Sequence, residues 1–144
     1  LNTFNCNGLA QISECAKFVI DLCKDQRVWV FKGELGAGKT TLIQEVARQM
    51  NIIDRVSSPT FSLVNEYQNP RGDVFYHFDF YRIDKIEEAI EIGVDEYFNS
   101  GAYCWVEWGE RIAELIPENF ALIELLRKGE ENRDITVTMV QDGD

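Results

Sequence analysis

Residues 33–40 read GELGAGKT and fit the spacing G-x-x-x-x-G-K-[ST], in which each residue type has a task toward a phosphate. Gly33, Gly36 and Gly38 carry no side chain, so the backbone can wrap an anion closely, and with Ala37 between them it can turn its N–H groups inward. Lys39 would bridge the terminal phosphates, and the Thr40 hydroxyl would be a ligand of Mg²⁺. Thr40 and Thr41 open a segment whose helical N-terminus adds positive partial charge.

Those residues must be held between a strand and a helix, and the neighbouring sequence predicts both. Residues 28–31 (VWVF) form an apolar run expected to be a buried strand. Residues 41–50 place Leu42, Ile43, Val46, Ala47 and Met50 at helical spacing. The segment is therefore expected to bind a nucleotide.

Two acids downstream are candidates for the metal side of such a site. In residues 74–81, alternation sets Val74, Tyr76, Phe78 and Phe80 on one face and Phe75, His77, Asp79 and Tyr81 on the other. Asp79, near the end of an apolar strand after a phosphate loop, has the Walker-B arrangement and would hold the Mg²⁺ shell. Glu107 follows the apolar run AYCWV and would lie at the carboxyl edge of an α/β sheet, where ligands bind. It is a candidate for holding metal, for positioning water, or for a plain surface acid. Trp108 reads as a lid, a partner contact or packing. His77, the single histidine, reads as a hydrogen-bonded structural residue before it reads as a base. Thr60 lies in the polar stretch SSPTFSL, which suits either a switch around a γ-phosphate or a simple Ser/Pro/Thr connection.

The remaining segments supply a frame. Residues 1–9 suggest an edge strand, and 10–23 an amphipathic helix that could lie near a nucleotide base. Residues 63–68 and 73–82 flank the turn NPRG as a hairpin, and 120–126 and 134–140 form a second. Arg127, Lys128 and Arg133 in the second turn could reach a phosphate but carry no assignment. Residues 85–92 read as a helix ended by Gly93, with a short helical piece at 95–99. The expected architecture over residues 1–144 is a single α/β P-loop domain with a mixed, mainly parallel central sheet flanked by helices.

Composition narrows the partners. With 14 Lys and Arg against 25 acids and a net charge of −11, a broad grip on nucleic acid or anionic lipid is not expected. Any RNA would be handled through a partner. Cys6, Cys15, Cys23 and Cys104 form no C-x-x-C pair, and they read as small buried side chains in a reducing compartment rather than a disulfide network. No signal peptide is expected, and no apolar run in the sequence approaches the roughly 18 residues that would span a bilayer. The cytoplasm is the expected location.

The blocks GELGAGKTT, SSPTFSLVNEY, HFDFYR, a following Gly93 with DEYF, and VEWGER, in this order across residues 33–111, closely resemble the TsaE (YjeE) family. These are small bacterial P-loop ATPases required for the threonylcarbamoyladenosine (t6A) modification of tRNA. The resemblance implies that Lys39 and Thr40 hold phosphates and Mg²⁺, that Thr60 lies in a switch-like loop, and that Asp79 is the Walker-B-like acid. It further implies that Glu107 is a second carboxylate on the Mg²⁺ side and that Trp108 is a functionally sensitive tryptophan. It also implies a TsaB–TsaD partner pair, whose cycling is coupled to ATP turnover. The chain departs from the family at Gly109, where Pro is common, which predicts a less rigid turn after Trp108. No residue offers an obvious strong base, so turnover in isolation should be slow. Two other readings compete: a small-molecule P-loop kinase, for which little chain remains to build an acceptor pocket, and a GTPase-like switch, whose Asn-Lys-x-Asp sequence is absent.

Overall fold

The computed structural model describes residues 2–59 and 62–141; Thr60, the centre of the expected switch, lies outside the described residues. A seven-stranded sheet runs in the order β1-β7-β6-β2-β5-β4-β3. Its strands are β1 (Asn2–Asn7), β2 (Val28–Lys32), β3 (Val64–Gln68), β4 (Val74–Asp79), β5 (Tyr103–Glu107), β6 (Phe120–Arg127) and β7 (Asn132–Val140). The inner strands β6, β2, β5 and β4 pair in parallel, while β1–β7, β6–β7 and β3–β4 pair antiparallel. The two hairpins thus frame a parallel centre, as the sequence leads one to expect.

β2 is buried on both faces because VWVF is apolar at every position. Trp29 and Phe31 enter one core with α1 (Ile12–Cys23) and α2 (Lys39–Gln49), alongside Phe75, Trp105 and Ile123. Val28 and Val30 enter a second core on the opposite face, with Phe78, Val106 and Ile112. That face is covered by α3 (Ile86–Glu91), α4 (Val94–Phe98) and a 3₁₀ segment, Gly109–Leu115. The β4 alternation holds, with Phe75 in the first core and Tyr76, Phe78 and Phe80 in the second. α3 begins where the Glu88 carboxylate accepts the N–H groups of Asp84 (2.8 Å) and Lys85 (3.0 Å), satisfying donors that an open helix end leaves unpaired.

One expectation fails. Cys6 and Cys15 are joined as a disulfide, with Cα atoms 6.2 Å apart. β1 pairs with β7 at the sheet edge, and α1 folds back against it, so the two cysteines meet although their spacing forms no recognisable motif. Cys23 and Cys104 are free and buried, as expected for small apolar side chains. Among the described residues, no helix is long and apolar enough to cross a membrane.

Candidate nucleotide site

The loop between β2 and α2 sits at the carboxyl edge of the parallel strands, the edge where open α/β sheets bind ligands. Its glycines are required for two different reasons. Gly36 and Gly38 take φ values of 81° and 100°, which L side chains rarely adopt. Gly33 is fixed by space, since a Cβ there would lie 2.9 Å from the Leu125 carbonyl oxygen and 3.1 Å from the Ala37 Cβ.

Lys39 begins α2 and is 5% exposed. Its ammonium donates to the carbonyls of Gly33 and, at 3.2 Å, of Glu34, so it is folded back onto its own loop. Burial lowers its pKa, against the opposing pull of Glu107, Glu110 and Asp79. The Trp108 ring lies over the same ammonium, 4.3 Å from ring centroid to Nζ.

Thr40, one residue on, points at Glu107. Its Oγ1 lies 3.1 Å and 3.3 Å from the two carboxylate oxygens and 3.0 Å from the Ser58 hydroxyl. Ser58 in turn donates to Glu107 Oε2 at 3.0 Å, and His77 Nε2 lies 2.7 Å from that same oxygen. Glu107 is 3% exposed and His77 fully buried. Burial raises the Glu107 carboxyl, but the His77 hydrogen bond and charge, with Ser58 and Thr40, outweigh it and hold the group below its ordinary value. Asp79 stands beside Glu107 in register on the adjacent parallel strand. Burial and then the Glu107 charge raise its pKa, opposed by the Tyr81 N–H that donates to Oδ1 at 2.9 Å.

The sequence-predicted residues therefore converge. Lys39, Thr40, Asp79, Glu107 and Trp108 all line one cavity of about 470 Å³ above the loop. A second cavity, of about 320 Å³, opens on the other side of the loop, where Leu9, Ile12 and Leu42 face Ala37, Gly38 and Thr41. Ile12, at the start of α1, thus lies beside the loop, within the 10–23 segment that the sequence suggests could come near a base. His77 is hydrogen-bonded and buried, as a structural histidine would be, with Nε2 on Glu107. Gly109 is closely packed and has no positive φ: a Cβ there would stand 3.0 Å from Val30 Cγ1 and 3.4 Å from Val106 Cγ1. The unusual backbone lies instead at Trp108, with φ at 60°, a conformation costing a non-glycine residue about 1–2 kcal/mol.

Two residues that touch the site escaped the sequence reading. Ser58 reaches Glu107 from 49 residues away, and only its place before Pro59 hinted at an extended, outward-facing position. Arg133, read as one of three unassigned basic residues, donates from Nε to the Ala37 carbonyl oxygen at 2.8 Å. Arg127 and Lys128 stay at the hairpin turn, on Gly129 and Asp134.

The donor set suits Mg²⁺ held jointly with a nucleotide. Thr40, Ser58, Asp79 and Glu107 supply hard oxygen atoms, while no group of three or more His, Cys, Asp and Glu side chains gathers for a metal among the described residues. Mg²⁺ characteristically takes one or two carboxylates and completes its shell with water and substrate phosphates.

Comparisons with known proteins identify the family. The family described as "Threonylcarbamoyl adenosine biosynthesis protein TsaE" matches residues 6–135. The tRNA threonylcarbamoyladenosine biosynthesis protein TsaE of Bacillus subtilis is 38% identical over 87% of this chain and 77% of its own length. That of Treponema pallidum is 36% identical over 81% of this chain and 84% of its own length. The crystal structure of Bacillus subtilis YdiB superposes with a TM-score of 0.74 at 29% identity, covering 96% of this chain and 85% of that one. The chain belongs to the TsaE family.

Proposed function

We propose that this site binds Mg-ATP and hydrolyses its terminal phosphoanhydride, and that the chain serves t6A modification of tRNA as the ATPase acting on a TsaB–TsaD pair. The observation that carries the nucleotide reading is the 3.1 Å contact between Thr40 and the buried Glu107 at the mouth of the phosphate loop. A carboxylate so placed, with Asp79 alongside, suits the metal side of a nucleoside triphosphate. Bound Mg²⁺ would neutralise charge on the outer phosphates.

The chain's own groups do the rest. Loop N–H groups and Lys39 stabilise charge that develops as water attacks the γ-phosphate in line. For this the Lys39 ammonium must exchange the Gly33 and Glu34 carbonyls for phosphate oxygens. The apolar cavity lined by Leu9 and Ile12 would take the purine. Among the described residues no base stands free, since His77 is fully buried behind Glu107 and the carboxylates of Asp79 and Glu107 are given to the metal side. Turnover by the isolated chain is therefore slow, and a partner completes the site.

The tRNA role comes from the names of the relatives, and the partner pair from the family resemblance. A net charge of −11 favours contact with tRNA through partners, and the cytoplasm is the compartment where those partners work. ATP hydrolysis measured with and without the TsaB–TsaD pair tests this. Weak activity alone, stimulated by the pair and lost in Glu107→Ala, is expected. Fast hydrolysis indifferent to the pair contradicts the coupling, and transfer of phosphate to a metabolite would point to a kinase instead.

A further inference from the structure

We infer that Arg133 is a phosphate-contact and loop-positioning residue, holding the phosphate that joins the nucleoside half of the ligand to its terminal phosphates. The inference rests on reading the site as a nucleotide site. Arg133 lies on β7, paired with Cys6 of β1 on one side and with Arg127 of β6 on the other, far along the chain from the phosphate loop. Its guanidinium nonetheless reaches that loop. Nε donates to the Ala37 carbonyl oxygen at 2.8 Å across 96 residues. Nη1 is held from behind by the carbonyls of Asn132 (3.2 Å), Glu130 (3.3 Å) and Gly129 (3.5 Å).

Among the described residues no hydrogen bond uses Nη2, and no carboxylate lies within ion-pair distance of the group. In a chain with 25 acids against 14 Lys and Arg, an arginine oriented by carbonyls alone keeps its full charge for something else. Arg133 lines both the apolar cavity and the phosphate cavity, with Gly38 and Thr41 the other residues shared between them. A nucleotide that fills both must pass this point with its innermost phosphate. Glu130 and Glu131 also line the apolar cavity, so an anion entering there needs a cation beside it. A planar fork with one edge fixed and the other free is well suited to a phosphate oxygen.

Calorimetric titration of ADP and ATP into wild type, Arg133→Lys and Arg133→Gln at two salt concentrations tests this, with melting temperatures as a fold control. Arg133→Gln should weaken ADP and ATP by the same factor, about 10- to 100-fold. It should also flatten the salt dependence of binding, and Arg133→Lys should recover part of both. A purely structural brace would leave the salt dependence unchanged. Wild-type ADP affinity in Arg133→Gln would overturn the inference, as would a loss confined to ATP, which would place the contact on the γ-phosphate. Should Arg133→Gln fail to fold, Arg133→Lys carries the test, and affinity and salt slope equal to wild type would overturn it. If wild type binds neither nucleotide, the nucleotide reading itself fails, a result distinct from all of these.

Discussion

The Lys39 ammonium and the Trp108 ring face each other at 4.3 Å, with the lysine turned back onto the Gly33 and Glu34 carbonyls of its own loop. On the proposed function, nucleotide phosphates would draw Lys39 out of this arrangement and so change the surroundings of the ring. Trp29 and Trp105 are fully buried in the sheet core and should not respond. Mg-ATP should therefore alter tryptophan emission in wild type and leave it unaltered in Trp108→Phe, which should still bind. A change that persists in Trp108→Phe would show that the signal arises elsewhere.

Ser58 should matter to turnover more than to folding. Its hydroxyl meets Thr40 and Glu107 at the same point, each at 3.0 Å. Removing a hydrogen bond to a charged group is worth roughly 1.5–3 kcal/mol, so Ser58→Ala should lower kcat/KM by about tenfold or more. Steady-state kinetics showing wild-type turnover would remove Ser58 from the site.

Asp79 and Glu107 are neighbours in register, yet their pKa values move in opposite directions. Asp79 is raised, so its folded form binds a proton more tightly than the unfolded chain does. That stabilisation is complete below its ordinary value of 3.8 and is lost as pH rises through the raised value, so at pH 7 the ionised group weakens the fold. Glu107 is lowered, and its stabilisation is present above 4.5 and lost as pH falls through the depressed value. In the nucleotide-free protein at pH 7, Asp79→Asn should raise the melting temperature and Glu107→Gln should lower it, each by about 2–4 °C per kcal/mol. Both should lose hydrolysis. Melting temperatures shifted in the same direction would contradict this electrostatic pairing.

The thiols give a count that reports on both cores. Burial pushes Cys23 and Cys104 up to about 12, so neither should react with a thiol reagent at pH 8 while the protein is folded. Their contribution to stability is complete below 9.0 and lost as pH rises through about 12, so the protein should weaken in alkali across that window. Unfolding without reductant should expose two thiols, and reduction should reveal the pair formed by Cys6 and Cys15. Four thiols before reduction would mean that this pair is not joined.

What the sequence made legible is what local periodicity controls. β2, α2 and both hairpins follow from apolar spacing and turn residues, and the Gly33–Thr40 pattern by itself implies a loop between a strand and a helix. Asp79 and Glu107 were legible because each ends an apolar strand. Ser58, Arg133 and the Cys6–Cys15 bridge depend instead on which distant segments the strand order brings together. Arg133 meets Ala37 because β7 is carried to β6, the neighbour of β2. No spacing within a single segment encodes that. The pose of Trp108 was hidden for another reason. It depends on a positive φ at a non-glycine residue, held in place by Lys39 and the Tyr81 ring.

Calorimetric titration of ATP into wild type and Glu107→Gln, with Mg²⁺ and with EDTA, addresses the assembled site most directly. Mg²⁺ should tighten ATP binding to wild type by about tenfold or more, equivalent to about 1.4 kcal/mol. In Glu107→Gln that gain should vanish while binding in EDTA stays close to wild type. A Mg²⁺ gain undiminished in Glu107→Gln would show that the carboxylate beside Thr40 does not serve the metal.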